Sequence, residues 1–179
     1  MAGTPDPDAL TALVVELYEA YYSSLFAYVY QLVGDAEWAH DLVQESFLRL
    51  YRERGKLEVV ENRRAWIYRI ASNVAFTALR RRRRRIRLPW QAVEEMAMVA
   101  PDPTAQAGQQ QMDVEQALAT LPAHYRAPLL LFSSYGLSVR EVAAALGLSE
   151  TAVTTRLYRA RKLFREAYGG GDDERGKER

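Results

Sequence analysis

Apolar residues recur every three to four positions along most of the chain, a spacing that predicts helices. Leu10, Leu13, Val14, Leu17, Tyr21, Leu25, Tyr28, Val29 and Leu32 form the first stripe, a long helix that Gly34 ends. Asp35 is placed to cap the next helix, whose apolar positions are Trp38, Leu42, Phe47, Leu50 and Tyr51, with Gly55 marking its end. Residues 56–61 read as a loop. Asn62 can cap a third helix with Trp66, Ile67, Ile70, Val74 and Ala78 on its buried side.

The periodicity then breaks. Pro89, Pro101 and Pro103 lie among small residues and glutamines, which predicts a flexible linker over 87–112 between a helical domain at 10–86 and a second at 113–168. In the second domain Val114, Ala117, Leu118 and Leu121 make a short amphipathic helix that stops at Pro122. Another runs from about His124 to Ser134; Pro128 is tolerable there if it falls in the first turn, where amide hydrogens lack helical partners. Residues 169–179 are glycine-rich and charged and read as a disordered tail. The fold class expected is all-α: two small helical domains joined by a flexible linker.

Residues 138–165 carry the most specific pattern. Ser138 and Glu141 make an S-x-x-E capping box that starts a short helix. Val139, Val142, Ala143 and Leu146 face inward, and the small Ala143 lets a second helix cross closely. Gly147 can adopt the left-handed conformation that stops the helix. Leu148 plugs the turn and Ser149 caps the next helix. There Val153, Leu157, Ala160 and Phe164 are buried by spacing, while Thr151, Thr154, Thr155, Tyr158, Arg159 and Lys162 share the opposite face. This is the layout of a helix-turn-helix, whose second helix enters the DNA major groove. An ordinary helical hairpin with a solvated basic face is the plainer alternative.

Net charge is only +1, but charge is segregated. Between Asn62 and Val93 there are ten arginines (63, 64, 69, 80–85 and 87) and no acidic residue. Asp35, Glu37, Asp41, Glu45 and Glu53 precede them. Opposite charge in separate blocks suits two kinds of partner. Six adjacent arginines, Arg80 to Arg85, repel one another unless a polyanion is present, and their binding should be strongly salt-dependent. Trp66, Tyr68 and Phe76 on the same helix suit either stacking on unpaired bases or a place in the core; for Trp66 the core is favoured. The chain has no cysteine, so disulfides and thiolate metal sites are excluded. No secretory signal and no run of about 20 apolar residues is visible, which points to a cytoplasmic protein without membrane insertion.

Taken together, these motifs resemble the extracytoplasmic-function (ECF) sigma factors of bacterial RNA polymerase over residues 17–168. LYEAYYSSLFAYVYQLVGDAEWAHDLVQESFLRLYR (17–52), RRAWIYRIASNVAFTALRRRRR (63–84), LPAHYRAPLLL (121–131) and the helix-turn-helix carry the resemblance. It implies that Asp41, Gln44, Glu45 and Arg49, around a D-x-x-Q-E-x-F pattern, grip the clamp helices of the polymerase β′ subunit. Phe47 in that pattern reads as core. The resemblance further implies that the loop from Lys56 to Asn62 and the helix bearing Arg63, Arg64, Arg69, Asn73, Arg80, Arg81, Arg83 and Arg84 handle the promoter −10 element, partly as single strand. Ser149, Thr151, Thr154, Thr155, Arg156, Tyr158, Arg159 and Lys162 are implied to meet the −35 duplex. The chain departs from the family at Thr151-Ala152-Val153, where Gly-Thr-Val is common, at Thr154, where a basic residue is common, and at Thr77, where an acid is common.

The function expected is therefore promoter-specific initiation by a subunit that binds core polymerase (β′ clamp helices and β flap) and promoter DNA, duplex and single-stranded. Control by an anti-sigma factor is implied. An autonomous helix-turn-helix transcriptional regulator is the alternative, and a non-specific RNA binder a weaker one. An enzyme is poorly supported: His40 and His124 are remote in sequence and no phosphate-binding glycine loop appears. No catalytic residue, cofactor or metal ligand is assigned.

Overall fold

A computed structural model describes the backbone of residues 7–85 and 109–175, and side chains within 8–84 and 114–168. The expected linker lies almost wholly outside the described residues. Every regular element among the described residues is helical: α1 (Pro7–Val33), α2 (Ala36–Arg52), a 3-10 turn (Arg54–Glu58), α3 (Arg63–Arg85), α4 (Gln109–Thr120), α5 (Ala123–Ser133), α6 (Val139–Leu146) and α7 (Glu150–Arg175). None of these helices is long and apolar enough to cross a membrane.

The boundaries follow local chemistry. Gly34 takes φ 72°, a left-handed conformation that costs other residues strain, and so ends α1. The Asp35 side chain then accepts the Trp38 amide at 3.0 Å and caps α2. The two-residue connection makes α1 and α2 packed neighbours. Residues 56–61 are not wholly loop as expected, because backbone bonds from Lys56 to Glu53 and from Val59 to Lys56 wind the first part into a 3-10 turn. That turn buries Leu57 completely beneath α1. Asn62 caps α3 through its side-chain oxygen, which accepts the Ala65 amide at 2.8 Å.

In the second module α4 begins at Gln109, a few residues before the expected domain start at 113. Pro128 falls at the sixth position of α5, not in the first turn. The missing amide hydrogen leaves the His124 carbonyl without its helical donor. Pro128 and its neighbours Ala127, Leu129, Leu130 and Leu131 are all buried, and that packing offsets the lost bond. Helix α7 continues through Gly169–Gly171 to Arg175, past the point where the tail was expected to begin. Extending a formed helix needs no new nucleus, so even glycines at about 1 kcal/mol each below alanine can continue it.

The two modules pack together. One buried apolar cluster runs from Val14, Leu25 and Val29 through Ile67 and Val74 to Leu121, Leu130, Val142 and Leu157. The seam is formed mainly by α3 against α6, with α1 against α4 and α5.

Candidate nucleic-acid interface

The helix-turn-helix is built as its sequence dictates. The Ser138 hydroxyl accepts the Glu141 amide, and the Glu141 carboxylate accepts the Ser138 amide at 2.7 Å, completing the capping box. Gly147 sits at φ 65° and stops α6. The Ser149 hydroxyl accepts the Ala152 amide at 3.2 Å and starts α7. Val153, Leu157 and Ala160 are buried against the module. Thr151, Thr154, Thr155, Tyr158, Arg159 and Lys162 are all exposed, and Tyr158 at 70% stands clear of any neighbour that could hold it in a core. Arg156, half-buried, flanks this face. Arg159 donates to the Tyr125 hydroxyl of its own module at 3.4 Å. The Thr154 and Thr155 hydroxyls donate to carbonyls one turn back, at 3.0 and 2.9 Å, which fixes their orientation.

Helix α3 presents a second surface. Arg63, Arg69, Asn73, Arg80, Arg81, Arg83 and Arg84 are exposed along it. Arg80 donates to the Thr77 hydroxyl at 3.2 Å, so the threonine serves as a neutral acceptor. Trp66 is half-buried in a cleft of about 600 Å³ between α3 and α6, with Asn62, Arg69, Arg140 and Glu141 around it. Lys56 on the 3-10 turn is exposed and pairs with Glu53 at 2.7 Å.

On α2, Asp41 and Gln44 are exposed on one face, and Leu48 joins them one turn on at 52% exposure. Glu45 is tied to Arg49 by a 2.8 Å ion pair. Phe47 is buried, as its spacing predicts. Beside this face a groove of about 700 Å³ separates α2 from α3, and there Arg82 lies over the Trp38 ring at 4.8 Å.

The structure also joins residues that sequence spacing did not connect. Asn62 donates to Glu141 across the seam at 2.7 Å, and Arg64 donates to the Tyr135 carbonyl. Tyr28, Tyr68 and Tyr135 meet ring to ring, with centroids 5.5–5.8 Å apart. Burial pushes all three phenols above the ordinary tyrosine value. The Glu141 carboxyl is held low, first by the Ser138 bonds and then by Asn62 and Arg64. Desolvation holds His124 below its ordinary value, and the charges of Arg156 and Arg83 act in the same direction.

Comparison with known proteins decides the family. Residues 17–85 match Sigma-70 region 2, and residues 111–164 match Sigma-70 region 4. The ECF RNA polymerase sigma factor SigL of Mycobacterium tuberculosis is 30% identical over 161 residues, covering 88% of this chain and 89% of its own. The chain belongs to the ECF sigma factors. SigE of Mycolicibacterium smegmatis, another ECF sigma factor, is 31% identical over 160 residues; the match covers 84% of this chain and 60% of that longer relative. Among solved structures, the sigma factor RpoE in complex with the anti-sigma factor NepR from Bartonella quintana superposes with TM-score 0.67 at 23% identity, covering 85% of this chain and 94% of that one. CnrH in complex with the cytosolic domain of CnrY gives 0.63 at 21% identity, covering 92% and 99%. These neighbours share the two-module helical fold.

In this sigma factor the seam residues Arg126, Tyr135 and Glu141 were not legible as a group. Glu141 was visible only as a capping-box residue, a local role that leaves its second oxygen unspoken for. Tyr28 and Tyr68 read as ordinary stripe and aromatic positions.

Proposed function

We propose that this sigma factor directs promoter-specific initiation by mounting two DNA-reading surfaces on core RNA polymerase. Helix α2 meets the β′ clamp helices through exposed Asp41 and Gln44 and through the half-buried pair Glu45 and Arg49 beside them. The 3-10 turn and α3, from Lys56 to Arg84, hold the −10 element, where Arg and Asn donors suit phosphates and base edges of a partly opened strand. Helix α7 lies in the −35 major groove, with Ser149, Thr151, Thr154, Thr155, Arg156, Tyr158, Arg159 and Lys162 toward the DNA. The second module also meets the β flap. The chain performs no chemistry on a substrate and works in the cytoplasm, where the polymerase is. The NepR complex of the Bartonella neighbour supports control by an anti-sigma factor.

The observation that carries this reading is the division of α7: three buried apolar residues lock it to the module while six polar residues on the far side stay exposed. Run-off transcription by purified core polymerase on a genomic promoter library, with and without this protein, tests it. New, reproducible start sites are expected only when the protein is added. An unchanged start-site pattern overturns the reading.

A further inference from the structure

Asn62 and Glu141 each divide their side chain between two tasks. The Asn62 carbonyl oxygen accepts the Ala65 amide and caps α3, which leaves its NH₂ group to point outward. One Glu141 oxygen takes both Ser138 donors, amide and hydroxyl, and so completes the capping box alone. The other oxygen is not needed for the cap. It reaches across the seam and accepts the Asn62 NH₂ at 2.7 Å. The same seam occupies Arg64, whose guanidinium donates to the Tyr135 carbonyl. Two donors assigned above to the −10 element are thus engaged by the second module. On α7, Thr151, Thr154, Thr155, Tyr158, Arg159 and Lys162 are exposed, and Arg159 donates to Tyr125 of its own module.

We infer that Glu141 is an internal competitor of promoter DNA: its carboxylate stands on the −10 cleft where an acceptor of the unpaired strand would stand. The inference rests on the assignment of α3 to the −10 element under the proposed function. An anionic oxygen hydrogen-bonded to an amide donor, close to arginines, reproduces what a phosphate or a base carbonyl offers to the same donors. Trp66 and Arg69 line the cleft beside it, and Arg140 adds a cation from α6 itself. A single strand entering the cleft must displace Glu141 and, with it, the contact of α6 on α3. Single-stranded DNA therefore opens the two modules, whereas a duplex held on α7 leaves them closed.

The chain has no cysteine, so two can be introduced for dye labelling without side reactions. Glu37→Cys on α2 and Glu166→Cys on α7 are exposed and lie on different modules. Energy transfer between the dyes is followed in the full chain as a mixed-sequence single-stranded oligonucleotide is added, with anisotropy of the labelled oligonucleotide reporting binding in parallel. Transfer should fall as the strand binds. Glu141→Gln keeps a capping-box residue but removes the charge. It should lower the strand concentration at half-opening by about fivefold, the effect of replacing a charge-assisted hydrogen bond by a neutral one. Duplex DNA should leave transfer unchanged in both proteins. Strand binding without loss of transfer overturns the inference, and so does a half-opening point that Glu141→Gln does not move. Run-off initiation measured on the same wild-type preparation separates the two levels. Failure to initiate strikes the proposed function. Initiation with an unmoved half-opening point strikes this inference alone.

Discussion

Arg126 of α5 donates a 2.7 Å hydrogen bond to the backbone oxygen of Gln31 on α1, across 95 positions of sequence. Its guanidinium also donates to the carbonyls of Ala119 and Leu121, at 2.6 and 2.7 Å. These acceptors lie at or just past the C-terminal ends of α1 and α4, where the helix dipole is negative. Burial lowers the Arg126 pKa to about 10, so the side chain remains charged at neutral pH. Arg126→Met should destabilise the protein by about 3 kcal/mol, because buried carbonyls lose charged donors. Arg126→Lys, which keeps the charge but not the planar fork, should recover only part of this. The midpoint of urea unfolding measures both.

Tyr28 and Ser72 share a buried 2.8 Å hydrogen bond between α1 and α3. Ser72→Ala leaves the Tyr28 hydroxyl buried without that partner and should cost about 1–3 kcal/mol. Adding Tyr28→Phe to Ser72→Ala should restore part of the loss, since no orphaned hydroxyl is left. A double-mutant cycle by equilibrium unfolding reads the coupling directly.

Arg159 is exposed in the middle of the α7 polar face. Arg159→Ala should reduce transcription from promoters that depend on a −35 element by roughly tenfold, the effect of one specific base contact. Co-purification with core polymerase should be unchanged. Equal losses on promoters lacking that element would remove Arg159 from the −35 assignment.

Asp41 and Glu45 differ in their surroundings although they are one turn apart. Glu45 is pinned to Arg49 at 2.8 Å, while Asp41 is exposed on the outer face of α2. Asp41→Lys should therefore weaken association with core polymerase more than Glu45→Lys. Competition for core against a reference sigma factor ranks the two variants, and the reverse order would contradict the geometry.

Glu141 gives the protein an acid-sensitive contact. Its folded pKa lies below the unfolded one because the Ser138 amide and hydroxyl, then Asn62, favour the carboxylate. The ionised group adds stability above the ordinary glutamate value of about 4.3. That contribution fades as pH falls through the lowered folded value. Stability measured from pH 6 downward should decline less steeply in Glu141→Gln than in the wild type. Parallel pH curves would show that the carboxylate is not thermodynamically linked to folding.

The local chemistry of the fold was legible in the chain. Asp35, Asn62, Ser138 and Ser149 cap the helices at which their sequence positions put them, and the four-three spacing of Val153, Leu157 and Ala160 marks the buried side of α7, while Phe164, expected on the same stripe, is half-buried. Non-local chemistry was not. No spacing rule pairs Asn62 with Glu141, 79 positions away, or sets Tyr135 edge-on to Tyr28 and tilted against Tyr68. The start of α5 was read to within one residue, at His124 against Ala123, but the condition set for Pro128, a place in the first turn, is not met, and its burial is a tertiary fact that no local rule gives. The exposed face of α7 was foreseen because amphipathic periodicity reports exposure; on α2 the face came from the family resemblance, and Tyr51, read as an apolar position, is 41% exposed. The seam was missed because its residues are half apolar and half polar and belong clearly to neither pattern.

The three tyrosines at that seam have a consequence for how the modules live together. Leucines in their place would bond the halves strongly, but each parting would bare a sticky hydrocarbon surface to a crowded cell. Serines would not hold at all. A phenol ring packs edge-on or tilted against its neighbours, as these three do, and carries a hydroxyl that water readily solvates. At this point of the seam the two halves therefore meet through rings that each carry a polar atom, in a core otherwise built mainly of leucine, valine, alanine and isoleucine.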